Sequence, residues 1–119
     1  MLTLYGIPNC DTVKKARAWL TENGVEYQFH DFKKQGVPAE RLDVWLRNVG
    51  WETLLNRKGT AWRQLDDGIK SSVVDAVSAR KVMLSHASTI KRPVVEWPAG
   101  ATVGFKSEDW AVRAKGCAK

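Results

Sequence analysis

In the stretch "IPNCDTV", Cys10 stands between a short run that reads as a strand and a longer one that reads as a helix. A thiol reacts as the thiolate, and a free cysteine thiol is mostly protonated at neutral pH. At the start of a helix, orphan backbone N–H groups and the macrodipole favour the anion. Lys14 and Lys15 add positive charge nearby, while Asp11 acts in the opposite direction. The competing reading is a small buried residue that closes the strand–helix turn. A second cysteine three places on would make a dithiol redox motif, but that residue is Val13. One cysteine cannot release its own covalent adduct, so an external thiol such as glutathione is implied. The other cysteine, Cys117, could serve only if the C-terminal tail reached back to Cys10, and an incidental thiol is the simpler reading. A structural disulfide between the two is not expected in a reducing compartment. His30 and His86 do not stand at metal-ligand spacing with Cys10, so no zinc site is expected. His86 instead fits a residue that caps or packs at a helix end.

The elements that must hold Cys10 can be read outward from it. "MLTLY" alternates as a strand with Leu2 and Leu4 on one face, and "GIPN" breaks it. A helix fits 11–22, with Val13, Ala16 and Leu20 on one face and Asn23-Gly24 as its stop. "VEYQFHDF" alternates again, with Val25, Tyr27 and Phe29 inward. A strand–helix–strand opening of this length predicts two parallel strands. Pro38 then starts a helix carrying Leu42, Trp45, Leu46 and Val49 on one stripe, with Gly50 as its stop. A short helix fits "WETLLN". Another fits 70–86, broken near Ser78, with Val73, Val74, Val77, Val82 and Met83 as its apolar set. "RPVVEW" and "TVGF", joined by "PAGA", read as an antiparallel hairpin. The last helix has Ser107 as N-cap, Glu108 and Asp109 in its first turn and Gly116 as its stop. The expected class is α/β: a thioredoxin-like core with a mixed four-stranded sheet at 1–37 and 87–119, and an all-helical insertion at 38–86.

At 119 residues, 44% hydrophobic and 27% charged, the chain has the balance of one soluble globular domain. No apolar run approaches the roughly eighteen residues of a membrane span. "MLTLYGIP" lacks the features of a signal peptide, so a cytoplasmic protein is expected. The net charge of +6 suits an anionic partner, or equally a solvated surface rich in lysine. It comes without a recognition helix or a stacking platform, so nucleic acid is not an expected partner. Most of the six tryptophans are expected in the core, Trp45 among them.

"YGIPNCDTVKKARAWL", "LLNRKGTAWRQL" and "IKRPVVEWPAGATVGF" resemble, in that order and over nearly the whole chain, the arsenate reductase-like (ArsC/Spx) family, and its small YffB branch most closely. The resemblance implies that Cys10 is the nucleophile and that Arg92, before a usually cis Pro93, binds an oxyanion facing it. A planar guanidinium fork suits an oxyanion or a carboxylate. In true arsenate reductases a further arginine follows the "LL" pair; here Asn56 takes that place and Arg57 stands one position on. A third arginine is replaced by Lys106, which keeps the charge without the fork. Asn9 and Lys14 complete the candidate anion-binding set. These departures point away from arsenate and towards a glutathione-dependent thiol reductase that forms and resolves a mixed disulfide. Glutathione is then a co-substrate rather than a bound cofactor. Glutaredoxin is a further implied partner, the substrate is an anionic small molecule or a protein mixed disulfide, and a monomer is expected. The alternatives are a glutathione- and glutaredoxin-linked arsenate reductase, and a non-enzymatic regulator of the Spx type that binds RNA polymerase. Val13 removes the Cys-x-x-Cys switch that many Spx relatives carry.

Overall fold

The computed structural model describes residues 2–115. It begins with β1 (Leu2–Gly6), α1 (Asp11–Glu22), β2 (Tyr27–Asp31) and the one-turn α2 (Phe32–Gln35). A helical stretch follows: α3 (Ala39–Val49), α4 (Trp51–Leu54), α5 (Thr60–Arg63), α6 (Asp67–Ser72), α7 (Ala76–Ser85) and a 3-10 turn (Ala87–Thr89). The chain then returns to strands in β3 (Val94–Trp97) and β4 (Gly100–Val103), and α8 (Ser107–Ala114) comes last. Two compact units result, residues 2–35 with 92–115, and residues 36–91.

In the first unit the sheet order is β2-β1-β3-β4. β1 and β2 are parallel, with Leu4 opposite Phe29, whereas β3 runs antiparallel to both β1 and β4. Leu2 and Leu4 share a core with Val13, Ala16 and Leu20 of α1, Val95 and Trp97 of β3, and Trp110 and Ala114 of α8. Both helices therefore cover one face of the sheet, which is a thioredoxin-like arrangement. Trp110 is the hub of that layer: Trp19, Trp97 and Phe105 meet it edge-on with ring centroids 5.8, 5.3 and 4.8 Å away. α1 stops at Asn23, whose side-chain amide donates to Trp19 O, and Gly24 takes a φ of +67°.

In the second unit Leu42 and Trp45 of α3, Leu54 of α4, and Ala79, Val82 and Met83 of α7 are buried. Arg80 ties α7 to α3 through Asp43, with Nε donating to Oδ1 at 2.7 Å and Nη2 to Oδ2 at 3.4 Å. The unit closes where Leu55 bridges Ile90, Asn56 N–H donates to Thr89 O, and Lys91 N–H donates to Leu54 O. Those bonds hold residues 87–91 in the helical unit, although the sequence reading grouped them with the sheet.

Several elements differ from expectation. The helix expected over 70–86 is two helices, and its break falls at 73–75 rather than at Ser78. The cause is a capping box: Asp75 accepts from Ser78 N–H, and Ser78 Oγ accepts in turn from Asp75 N–H. Hydrogen bonds donated to the Asp75 carboxylate by the Ser78 N–H and by the Ser78 hydroxyl, the latter at 2.7 Å, hold that carboxyl below the usual aspartate range. Val74 and Val77, expected on the apolar face, are 73% and 67% exposed. α5 was not foreseen. β2 begins at Tyr27, two residues after the buried Val25. Gly6, read as a strand breaker, is the last residue of β1. The cap of α8 is Lys106 rather than Ser107, and its expected stop, Gly116, lies outside the described residues. Among the described residues no helix is long and apolar enough to cross a membrane.

Candidate functional site

Cys10 is the N-cap of α1, in extended backbone at φ −94° and ψ 126°. Its N–H donates to Ile7 O at 3.2 Å, and its carbonyl accepts from Lys14 N–H at 2.9 Å. These two bonds close the three-residue connection from β1 and start the helix. The thiol makes no capping hydrogen bond, so no cap side chain occupies the first-turn N–H groups of α1. Cys10 is half-buried and packs against the core shared by β1, α1 and α8. Pro8 and Asn9 before it are exposed, as is Lys14 one turn on.

The sheet brings a second segment to the same end. Tyr5 lies opposite Val94 in the antiparallel β1–β3 pair, so the residues before Val94 run alongside the exit of β1. Those residues are Arg92 and Pro93, joined by a cis peptide bond. Pro93 is buried, and Arg92 is half-buried with its Nε shielded from solvent. A third segment joins them, because Gly104 N–H donates to Pro93 O at 2.9 Å and Lys106 follows two residues later. Cys10, Asn9, Arg92, Pro93 and Lys106, on loops, and Lys14, in the first turn of α1, thus stand at one end of one sheet, the end at which open α/β sheets carry their sites.

Arg57 belongs to the helical unit. Its guanidinium lies 5.3 Å from the Trp51 ring centroid, and Nη2 is 3.8 Å from Glu52 Oε2. Asn56 next to it accepts from Lys58 N–H at 3.2 Å, fixing the "NRKG" turn. Cys117 lies outside the described residues. His86 ends α7 as its C-cap, where its carbonyl accepts from Thr89 Oγ1 at 2.7 Å. Among the described residues, no three His, Cys, Asp or Glu side chains group as a metal site.

The family model of the ArsC family matches residues 5–112, a span that holds all three loops of the site. The chain belongs to the ArsC family. This ArsC-family chain is similar to the solved structure of a YffB protein, with a TM-score of 0.90 and 46% identity over 95% of this chain and 98% of that one. An arsenate reductase (ArsC) related protein from Brucella melitensis is 51% identical over 96% of this chain and 94% of its own, with a TM-score of 0.72. The global transcriptional regulator Spx of Lactiplantibacillus plantarum is 24% identical, over 92% of this chain and 83% of its own.

One residue of this ArsC-family site escaped the reading of the sequence. Gly6 sits beneath the first turn of α1, where a Cβ would come within 2.8 Å of Val13 Cγ2. A glycine at the end of a strand pattern is the available signal, because it marks a place where another backbone or side chain approaches closely.

Proposed function

We propose that this protein is a glutathione-dependent thiol reductase in which Cys10 is the nucleophile. The observation that carries the reading is the seat of Cys10: an uncapped helix N-terminus at the end of the sheet where the cis Arg92–Pro93 segment also lies, with buried Val13 where an internal resolving thiol would stand. The Cys10 thiolate attacks the glutathionyl sulfur of a mixed disulfide. A Cys10–glutathione disulfide forms as the substrate sulfur leaves as a thiolate and takes up a proton. A second glutathione, as its thiolate, then attacks the glutathionyl sulfur of that adduct. Glutathione disulfide leaves, and Cys10 returns to its starting state. Each cycle reduces one mixed disulfide and oxidises one glutathione. Arg92, with Lys106 and Asn9 on the neighbouring loops and Lys14 in the first turn of α1, holds the carboxylates of the anionic partner.

Peptide mapping by mass spectrometry after exposure to glutathione disulfide tests this. One adduct on Cys10 is expected, none in Cys10→Ser, and Arg92→Met should slow its formation about tenfold, as loss of a charge-assisted clamp implies. A Cys10 that stays unmodified sinks the proposal.

Similarity to Spx favours a second reading, a non-catalytic regulator. In that case Cys10→Ser would bind RNA polymerase as well as the wild type does. Arsenate is the less fitting substrate, because the resemblance to arsenate reductases implies arginines at the places of Asn56 and Lys106. Arsenate-dependent turnover with glutathione and glutaredoxin would reverse that preference.

A further inference from the structure

The contact between Gly6 and Val13 fixes where Cys10 stands. Leu2, Leu4 and Gly6 are alternate residues of β1 and present one face towards α1. Gly6 is not among the glycines with a positive φ, so its backbone alone does not call for glycine. What calls for it is room: a Cβ there would lie 2.8, 3.4 and 3.7 Å from Cγ2, Cγ1 and Cβ of Val13. Ordinary carbon–carbon contact is about 3.5–4.0 Å, so an added methyl would drive the two apart by roughly 1 Å. Val13 has nowhere to swing. It is fully buried, and a β-branched side chain on a helix keeps one strongly preferred rotamer.

The displacement would therefore fall on the first turn of α1, which Cys10 begins. Only Ile7, Pro8 and Asn9 separate Gly6 from Cys10, and the Cys10 N–H is already bonded to Ile7 O. Such a short tie has no slack to absorb a shift. Meanwhile β1 is paired with β3, so the strand that seats Val13 also sets the position of Arg92 and Pro93.

We propose that Gly6 is a positioning residue: its missing side chain lets α1 settle on β1, and so sets the place of Cys10 relative to the Arg92–Pro93 segment. The inference rests on the reading of Cys10 and Arg92 as a thiol-exchange site. Gly6→Ala should exchange with glutathione disulfide about tenfold or more slowly, since a misplacement near 1 Å can cost up to a hundredfold. Its alkylation by iodoacetamide, a small reagent that needs no held anion, should stay nearly unchanged. Adding Val13→Ala to Gly6→Ala removes the colliding methyls and should restore most of the exchange rate.

Both rates are measured on the full chain, with circular dichroism to confirm the fold. Equal losses in the two rates, no loss, or no rescue by the double variant overturn the positioning role while leaving wild-type exchange intact. Should Gly6→Ala fail to fold, a double variant that exchanges more slowly than Val13→Ala alone overturns it equally. A wild-type Cys10 that does not exchange with glutathione disulfide removes the reading beneath, a result distinct from the others.

Discussion

Replacing Val13 by cysteine would put a second thiol one helical turn after Cys10 and move the resolving step onto the protein. The spacing of these two residues depends on the backbone of Asp11 and Thr12, both within α1. Helical geometry places such Cα atoms about 5 Å apart, inside the window a disulfide bridges. A side chain at this position also leans back towards the helix start. The reduced variant loses a buried methyl beside Gly6, at a cost of about 1 kcal/mol. Closing so small a ring returns about 2 kcal/mol in the chain-entropy account. Reduced Val13→Cys should therefore unfold at lower urea than the wild type, and the oxidised form at equal or higher urea. In the exchange assay the Cys10–glutathione adduct should persist in the wild type until a thiol is added. In the variant it should collapse into an internal disulfide with release of glutathione. A long-lived adduct beside a free Cys at position 13, or an oxidised form less stable than the reduced one, would refute the idea that Val13 is what makes the site depend on an outside thiol.

Two more perturbations test the scaffold. Trp110→Ala removes a ring that is 1% exposed and met by three other rings; urea denaturation should show a loss of about 3–5 kcal/mol, and a loss below roughly 1.5 kcal/mol would contradict its place as hub of the layer. Asp75→Ala should lower the melting temperature at neutral pH. Because the folded carboxyl titrates below its ordinary range, its stabilisation is present above that range and fades as the pH falls through it, below about pH 4. A difference from wild type that stays constant down to pH 2 would rule out the carboxylate as the cause.

The core unit was legible because each of its elements carries a local signal. Val13, Ala16 and Leu20 fall at helical spacing, Asn23-Gly24 supplies a stop, and Leu2 with Leu4 gives a strand face; the strand and the helix on either side of Cys10 lie where these residues place them. The helical unit was less legible, since its valines mislead. Val74 and Val77 are apolar but exposed, and what breaks the helix is the Asp75–Ser78 box, a polar signal weaker in the sequence than the valine run around it. Within the candidate site, residue type and placement singled out Cys10, whereas Arg92 and Pro93 came from the family resemblance. Gly6 stayed hidden because its role is the absence of atoms, and only the approach of Val13 gives that absence a meaning.

The central pairing of the sheet has a consequence for how the chain is made. Tyr5 and Glu96, hydrogen-bonded across β1 and β3, are 91 positions apart in the chain. A chain emerging from the ribosome therefore displays Cys10 long before Arg92 and the strand that follows it exist. Until then the opening strand–helix–strand unit has one bare inner strand edge and half a core. Pairings that span so much of a sequence form late and slowly. Cys10 is thus synthesised long before Arg92 and Lys106, the later residues of the candidate site.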